Sequence, residues 1–405
     1  MAKIAVLGYG TIGSGVVEVI AENAAVISKN AAEEISVKYI VDIREFPGDP
    51  FEKLIIKDFS IVLNDPEVSI AVETIGGTGI AYDFTKSCLL AGKSVVTSNK
   101  ELVATKGDEL LKIAEDKNVN YMFEASVGGG IPIIRPIIQC LAANVINEIY
   151  GILNGTTNYI LTEMINSKTS FEDALRGAQA KGFAEQNPEA DIEGKDACRK
   201  IAILSDLCFG RHVDPDDVKT EGIKGITPQD VEYAAAAGYK IKLLGRALRT
   251  GDGRITAYTA PHLISAAKLP ANVDGVMNCV VVHGNALGEA MFYGAGAGKL
   301  PTAGAVVADV IDTVKHREKR KTIKWDDGFP GYVTDSDLLS SRFYVRARCA
   351  ESNIKGLFSP GGAEFIGNKT APDGVCAFLT KETGGAELKK ILAGLDILSV
   401  FRVLD

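Results

Sequence analysis

One feature constrains the fold of this chain more than any other. An apolar run at residues 3–7 leads into Gly8-Tyr9-Gly10-Thr11-Ile12-Gly13, and apolar residues then recur at helical spacing from Val16 to about Ser28. The run reads as a buried strand, the glycines as a tight turn and the periodic segment as a helix. In that setting G-x-G-x-x-G predicts a dinucleotide site. The first glycine permits the turn, the second lets backbone approach a pyrophosphate, and the third allows close helix–strand packing. Thr11 and Ile12 open the helix, whose N-terminus offers unpaired N–H groups and a positive dipole end. A glycine-rich turn without a ligand is the plainer alternative.

The strand and helix signals go on alternating. Further strand candidates are Ile35–Val41, 61–63, 70–75 (ending in Gly76-Gly77), Ser94–Thr97 and 121–123. Strands separated by helices predict a parallel sheet covered on both faces, hence an α/β Rossmann domain over residues 1–135, with a return helix at about 302–320. Asp42 ends the second strand, where a carboxylate accepts from the ribose hydroxyls of NAD; Arg44 is close enough to meet the 2′-phosphate of NADP instead. The sequence leans to NAD and leaves both open, against an ordinary charged strand exit. Gly76, after the fourth strand, belongs to the same cofactor edge.

Beyond residue 135 the strands become more amphipathic, at 145–153, 254–263 and 275–283, with helices at 158–166, 171–181, 196–208 and 228–238. This predicts an α+β domain with a mixed sheet over 136–301. A helix at 302–317 follows, then a polar, strand-poor linker at 330–341 and a small tail over 335–405. A chain of 405 residues accommodates two or three such units at about 100–200 residues each.

Composition excludes several classes. A net charge of −8 argues against general binding to a phosphate backbone, so no nucleic-acid partner is expected. No apolar run approaches the roughly 20 residues a bilayer requires, and the N-terminus does not read as a secretory signal. Seven cysteines without Cys-x-x-Cys spacing read as reduced thiols, giving a cytoplasmic expectation. The four histidines show no metal spacing.

Three segments carry chemistry. Ser98-Asn99-Lys100 places Lys100 at the C-terminal edge of the sheet, where open α/β folds bind ligands. Asn154-Gly155-Thr156-Thr157-Asn158 follows an apolar strand, where Thr156 or Thr157 would cap a helix. A helix starting near Asp196 puts Asp196 and Lys200 one turn apart on one face, either as a functional pair or as a surface ion pair.

In this order, with Glu73-Thr74-Ile75-Gly76-Gly77, Glu124-Ala125-Ser126-Val127-Gly128-Gly129-Gly130-Ile131-Pro132 and Gly294-Ala295-Gly296-Ala297-Gly298, these segments resemble homoserine dehydrogenase over roughly residues 3–320. The resemblance implies interconversion of L-homoserine and L-aspartate 4-semialdehyde with NAD or NADP, within threonine and methionine biosynthesis. It assigns Lys200, Asp196 and Lys100 to catalysis and Glu185, Asp191, Gly155 and Thr156 to the substrate. Gly298 goes to the cofactor. Glu124, Val127, Gly129 and Ile131 go to a monovalent cation, Na+ or K+, held mainly through carbonyls. It also implies a homodimer or homotetramer. The chemistry is coherent: a lysine ammonium stabilises an alkoxide-like oxygen, a lysine–water pair carries the hydroxyl proton, and two facing lysines depress one pKa.

Two positions depart from the family pattern. Phe183 stands where an aromatic hydroxyl is expected before Glu185, and Lys299 follows Gly298 on what reads as a loop. The tail reads strand 342–348, strand 375–380, helix 386–392 and strand 398–403, resembling an ACT-type regulatory domain. Its usual effector turn is replaced by Glu351-Ser352-Asn353-Ile354, so threonine feedback stands beside a packing or dimerisation role. Rival readings are an aspartate dehydrogenase-like enzyme and a non-catalytic dinucleotide sensor. A phosphorylating aldehyde dehydrogenase needs a Cys–His pair that these residues do not offer.

Overall fold

The computed structural model describes residues 1–359, 361–367 and 373–405. In the N-terminal region six parallel strands lie in the order Ile55–Ile56, Ile35–Val41, Ala2–Leu7, Val68–Glu73, Ser94–Thr97, Tyr121–Met122. Ile4, Ala5, Val6 and Leu7 of the central strand are fully buried, as expected for a strand covered on both faces. The strand order reverses between Ala2–Leu7 and Val68–Glu73, which opens a crevice beyond their C-terminal ends. Ile61, Val62 and Leu63 belong not to a strand but to the helix Phe59–Asn64, started by the Asp58 carboxylate accepting from the Ser60 N–H at 2.8 Å. The third strand is the shorter Ile55–Ile56.

The long helix after Gly298 runs Lys299–Lys315, so Lys299 is helical rather than part of a loop, and its ammonium pairs with Glu18 of the helix Thr11–Glu22. This helix returns to the first sheet. A Cβ on Gly15 would lie 3.1 Å from the Ala303 methyl, and Asn120 beside the edge strand donates to the His316 carbonyl at 3.0 Å.

Among the described residues the second sheet has 11 strands. Its main path runs Gly288–Ala295, Met277–Gly284, Ile146–Ile152, Tyr239–Arg249, Ile255–Ser265, Ile397–Leu404, Phe343–Ala347, Cys376–Thr380, Ala363–Phe365. It is mixed: Ile397–Leu404 runs parallel to Ile255–Ser265, while the other neighbours on this path are antiparallel. Three of these strands, Tyr239–Arg249, Gly288–Ala295 and Ala363–Phe365, have no counterpart in the sequence reading. The segment expected to be strand-poor holds Val333–Thr334, paired to Ile255 and Thr256, and Ser340–Ser341, paired to Thr383 and Gly384.

Apart from the two-residue strand Thr383–Gly384, the tail from Phe343 runs strand, helix Glu351–Lys355, two strands, helix Gly385–Ile391, strand, and its sheet continues that of the middle region without a break. Buried charge joins the two. Arg346 Nε donates to Asp230 Oδ1 at 2.8 Å, the Tyr344 hydroxyl donates to the same oxygen at 3.1 Å, and Asp230 completes the capping box that starts the helix Pro228–Ala236. No single helix among the described residues is long and apolar enough to cross a membrane.

Candidate active site

The glycine turn closes on itself through sterics. A Cβ on Gly13 would fall 2.0 Å from the Gly8 carbonyl oxygen, which also accepts from the Thr74 hydroxyl at 2.9 Å, so helix and strand meet only because residue 13 has no side chain. A Cβ on Gly10 would meet no protein atom within 4 Å. Gly10 is the N-cap of Thr11–Glu22, with no side-chain cap and no acidic residue in the first turn. The first-turn N–H groups of Thr11, Ile12 and Gly13 thus have no side-chain cap, and the space beside Gly10 fits a pyrophosphate. Replacing Gly13 with alanine should weaken NAD(P)H binding about 10–100-fold and lower the melting temperature together. Gly10→Ala should weaken binding while leaving the melting temperature of the free protein unchanged. Fluorescence titration and thermal melting check both.

Asp42 follows the second strand and is 8% exposed. Its carboxylate accepts from the Tyr9 N–H at 2.7 Å, the Arg44 N–H at 2.9 Å, and Arg44 Nε and Nη2 at 3.0 and 2.8 Å. The Arg44 guanidinium holds the Asp42 carboxyl down to about 2. Arg44 lies 5.1 Å over the Phe46 ring and keeps 57% of its side chain exposed, so it is a braced cation facing outward.

On the other side of the crevice Glu73, fully buried, accepts from the Ile75 and Gly76 N–H groups at 2.7 and 3.1 Å and from the Thr97 hydroxyl at 2.6 Å. Asn99 Nδ2 donates to the Gly77 carbonyl at 2.7 Å, and its oxygen caps the helix Lys100–Asp116 through the Leu102 N–H at 3.1 Å. Together these bonds fix Lys100 as the first helical residue at the sheet edge.

Lys100 reaches across to the second region. Its ammonium lies 2.5 Å from Asp196 Oδ1, and Lys200 Nζ lies 2.9 Å from Asp196 Oδ2. Asp196 and Lys200 stand one turn apart on the helix Lys195–Phe209, 4% and 7% exposed. Lys200 also donates to the Leu153 carbonyl at 2.7 Å. A second bridge, Arg199 Nη2 to Glu101 Oε1 at 3.2 Å, joins the same two helices. The two lysines were expected to face each other; the structure places the carboxylate between them, and their environments push them apart. Burial, reinforced by the Lys100 charge, outweighs Asp196 and lowers the Lys200 pKa. Burial is the largest influence on Lys100 and acts to lower its pKa, but the Asp196 charge, its hydrogen bond and the Asp191 charge together outweigh it and raise the pKa. Burial opposes the Asp196 charge, yet the two lysines hold its carboxyl well below the usual range.

The remaining predicted residues divide. Asp191 belongs to this cluster through Asn154, whose Nδ2 donates to Asp191 Oδ1 at 2.7 Å and to Asp196 Oδ2 at 2.9 Å. The helix Gly155–Ser167 is capped by Asn154, through the Thr157 N–H, and not by Thr156 or Thr157. A Cβ on Gly155 would crowd the Val276 carbonyl at 2.7 Å. The Thr156 hydroxyl donates to the Phe183 carbonyl at 2.7 Å, and the Phe183 ring packs at 5.0 Å on Tyr159. Glu185 is exposed, and its side chain has no hydrogen-bond or ion-pair partner among the described residues.

The family model described as homoserine dehydrogenase matches residues 132–311, and that of its NAD binding domain matches residues 8–124. The homoserine dehydrogenase of Neisseria gonorrhoeae is 41% identical, with 86% of this chain and 82% of the relative covered. That of Bacillus subtilis is 36% identical, with 98% and 95% covered. This chain belongs to the homoserine dehydrogenase family. Among solved structures, a homoserine dehydrogenase from Thiobacillus denitrificans superposes with a TM-score of 0.88 at 36% identity, covering 100% of this chain and 98% of that one. A hyperthermophilic archaeal homoserine dehydrogenase in complex with NADPH superposes at 0.66 and 28% identity, covering 77% of this chain and 97% of that one.

Sequence reasoning gave Glu124 to a cation site held mainly through backbone carbonyls. The Glu124 carboxylate accepts from the Ile133, Ile134 and Arg135 N–H groups at 2.6, 2.8 and 2.7 Å. It holds the start of a helical turn. Gly298 is the N-cap of the return helix, and the Gly130 N–H donates to the Ala295 carbonyl at 3.0 Å, binding the two glycine loops together. Sequence reasoning gave Asn154 and Glu73 no role of their own. Each lies inside a motif that was singled out, but its partners are distant in sequence.

Proposed function

We propose that this chain interconverts L-homoserine and L-aspartate 4-semialdehyde with NAD(P), the step its family supplies to threonine and methionine biosynthesis. The observation that carries the reading is the buried Lys100–Asp196–Lys200 cluster bridging the two regions beside the crevice. The bound nicotinamide supplies the hydride acceptor or donor. Lys100, kept charged by Asp196, stabilises negative charge on the reacting oxygen, while Lys200, lowered by burial, exchanges the hydroxyl proton through water. Asp191 binds the substrate ammonium, joined by Glu185 from the loop after the helix Phe171–Ala180. Gly155 and Thr156 line the site, and Gly298 approaches the cofactor. Initial rates with homoserine and each oxidised dinucleotide test the assignment.

The cofactor reading sharpens at Arg44. Asp42 already accepts four hydrogen bonds, so the exposed guanidinium would be the group to hold a 2′-phosphate, which favours NADP over the NAD leaning of the sequence. Arg44→Ala should raise the KM for NADP about tenfold and leave that for NAD within about twofold. Equal rises for both would make Arg44 only a brace for Asp42.

The cation reading rests on the carbonyls of Val127, Gly129 and Ile131, which accept no hydrogen bond among the described residues. A hard, weakly held Na+ or K+ suits such donors. The tail's strand–helix–strand–strand–helix–strand order supports the ACT-like reading, and titrating L-threonine into the assay of the full chain tests an effector role. A cytoplasmic homodimer or homotetramer is the expected form, and the seven cysteines are all free thiols.

A further inference from the structure

Asn154 is 6% exposed and occupies the turn between the strand Ile146–Ile152 and the helix Gly155–Ser167. Its side-chain oxygen accepts from the Thr157 N–H at 2.9 Å and from the Thr157 hydroxyl at 3.1 Å. That cap decides the orientation of the amide, because the nitrogen must then face away from the helix. Its two hydrogens go to two different carboxylates, Asp191 at 2.7 Å and Asp196 at 2.9 Å. Asp196 has both lysines as further partners. For the Asp191 side chain, Asn154 is the sole hydrogen-bond donor among the described residues.

We infer that Asn154 is a positioning residue for homoserine, holding the Asp191 carboxylate toward the substrate ammonium at a fixed spacing from the Lys100–Asp196–Lys200 cluster. The inference rests on the assignment of Asp191 to the substrate ammonium. A neutral amide suits this position better than a cation would. It donates to both carboxylates without adding charge beside two lysines, and it leaves Asp191 the net negative charge that an ammonium seeks. The groups around Asp191 are Asp196 and Lys200 from the helix Lys195–Phe209, Lys100 from the helix Lys100–Asp116, and Asn154 itself. Burial raises the Asp191 pKa and Asp196 raises it further; the Asn154 donation and the two lysines act in the opposite direction. Without the amide, Asp191 takes up a proton at higher pH, and the ammonium site loses both its charge and its aim.

The test uses the full-length chain and follows kcat and KM for homoserine across pH. Asn154→Ser keeps a helix-capping oxygen but loses the amide donors. Asn154→Asp keeps the shape and the cap while placing a third carboxylate in the cluster. The expected result is a rise of about tenfold in the homoserine KM for N154S and a larger one for N154D, with the cofactor KM unchanged. The acid limb of kcat/KM moves to higher pH in both. A merely structural cap predicts something else: N154D indistinguishable from the parent, and N154S with a lower melting temperature and an unmoved acid limb. Either observation overturns the inference. Asp191→Asn separates the two layers. If D191N leaves the homoserine KM unchanged, the assignment of Asp191 fails and the inference with it. If D191N raises KM while N154S and N154D do not, the role of Asn154 alone is rejected.

Discussion

Replacing Lys200 with methionine should leave dinucleotide binding intact and slow homoserine turnover about 10²–10⁴-fold. Lys200 lies on the second region, away from the glycine turn, so removing its ammonium changes nothing that the pyrophosphate touches. Methionine fills a similar volume at a position only 7% exposed, which separates loss of chemistry from loss of packing. Asp196 keeps Lys100 as its ionic partner, so the variant does not strand an unpaired buried charge. What disappears is the group whose pKa burial has lowered and which alone in the cluster also holds the Leu153 carbonyl. A fluorescence titration with NAD(P)H and a steady-state assay on the same preparation measure both halves. Turnover within threefold of the parent would remove Lys200 from the chemistry. In the parent, the rate of homoserine oxidation should climb with pH as Lys200 sheds its proton, and this limb should vanish in the variant.

The second large effect concerns stability. Arg346→Met should cost about 3–5 kcal/mol of unfolding free energy, because it leaves the Asp230 carboxylate in a fully buried site without its cation. The pair carries more than Coulomb energy. Arg346 also donates to the Thr227 and Ser399 hydroxyls at 3.0 and 3.2 Å, so one guanidinium links a helix cap of the middle region to the tail strands. Combining R346M with Asp230→Leu should recover much of the loss, since a buried pair replaced by apolar residues is often neutral. Urea unfolding of the single and double variants decides it. An unchanged midpoint in R346M would mean that the tail is attached loosely and not integrated into the sheet.

Legibility from sequence followed how local each signal was. The strands Ile35–Val41 and Ser94–Thr97 were read to the residue because they are apolar runs bounded by turn or charge signals. The Ile61-Val62-Leu63 run misled because three apolar residues do not distinguish strand from helix; the decisive cue was Asp58 capping three residues before Ile61. Tyr239–Arg249 was missed because its lysines and arginines suggest a solvated segment, yet Lys242 is fully buried, its ammonium held by Asn158, the Val273 carbonyl and Asp274. In the site, helical spacing put Asp196 and Lys200 on one face correctly. Nothing local could show that Lys100, from another region, would meet the same carboxylate, nor that Asn154 would join it to Asp191. The Glu124 carboxylate shows the reverse case. Its sequence position suggested a ligand, while its bonds to three backbone N–H groups lie in a turn whose path only the fold reveals.

The central claim is that the Lys100–Asp196–Lys200 cluster works on homoserine. The direct measurement mixes the purified chain with L-homoserine or L-aspartate and either NAD or NADP, and follows the appearance of reduced nicotinamide. The account predicts reduction with homoserine, with formation of the 4-semialdehyde, and none with aspartate. Reduction with aspartate alone, or with neither substrate under conditions where NAD(P)H binding is demonstrated, would contradict it.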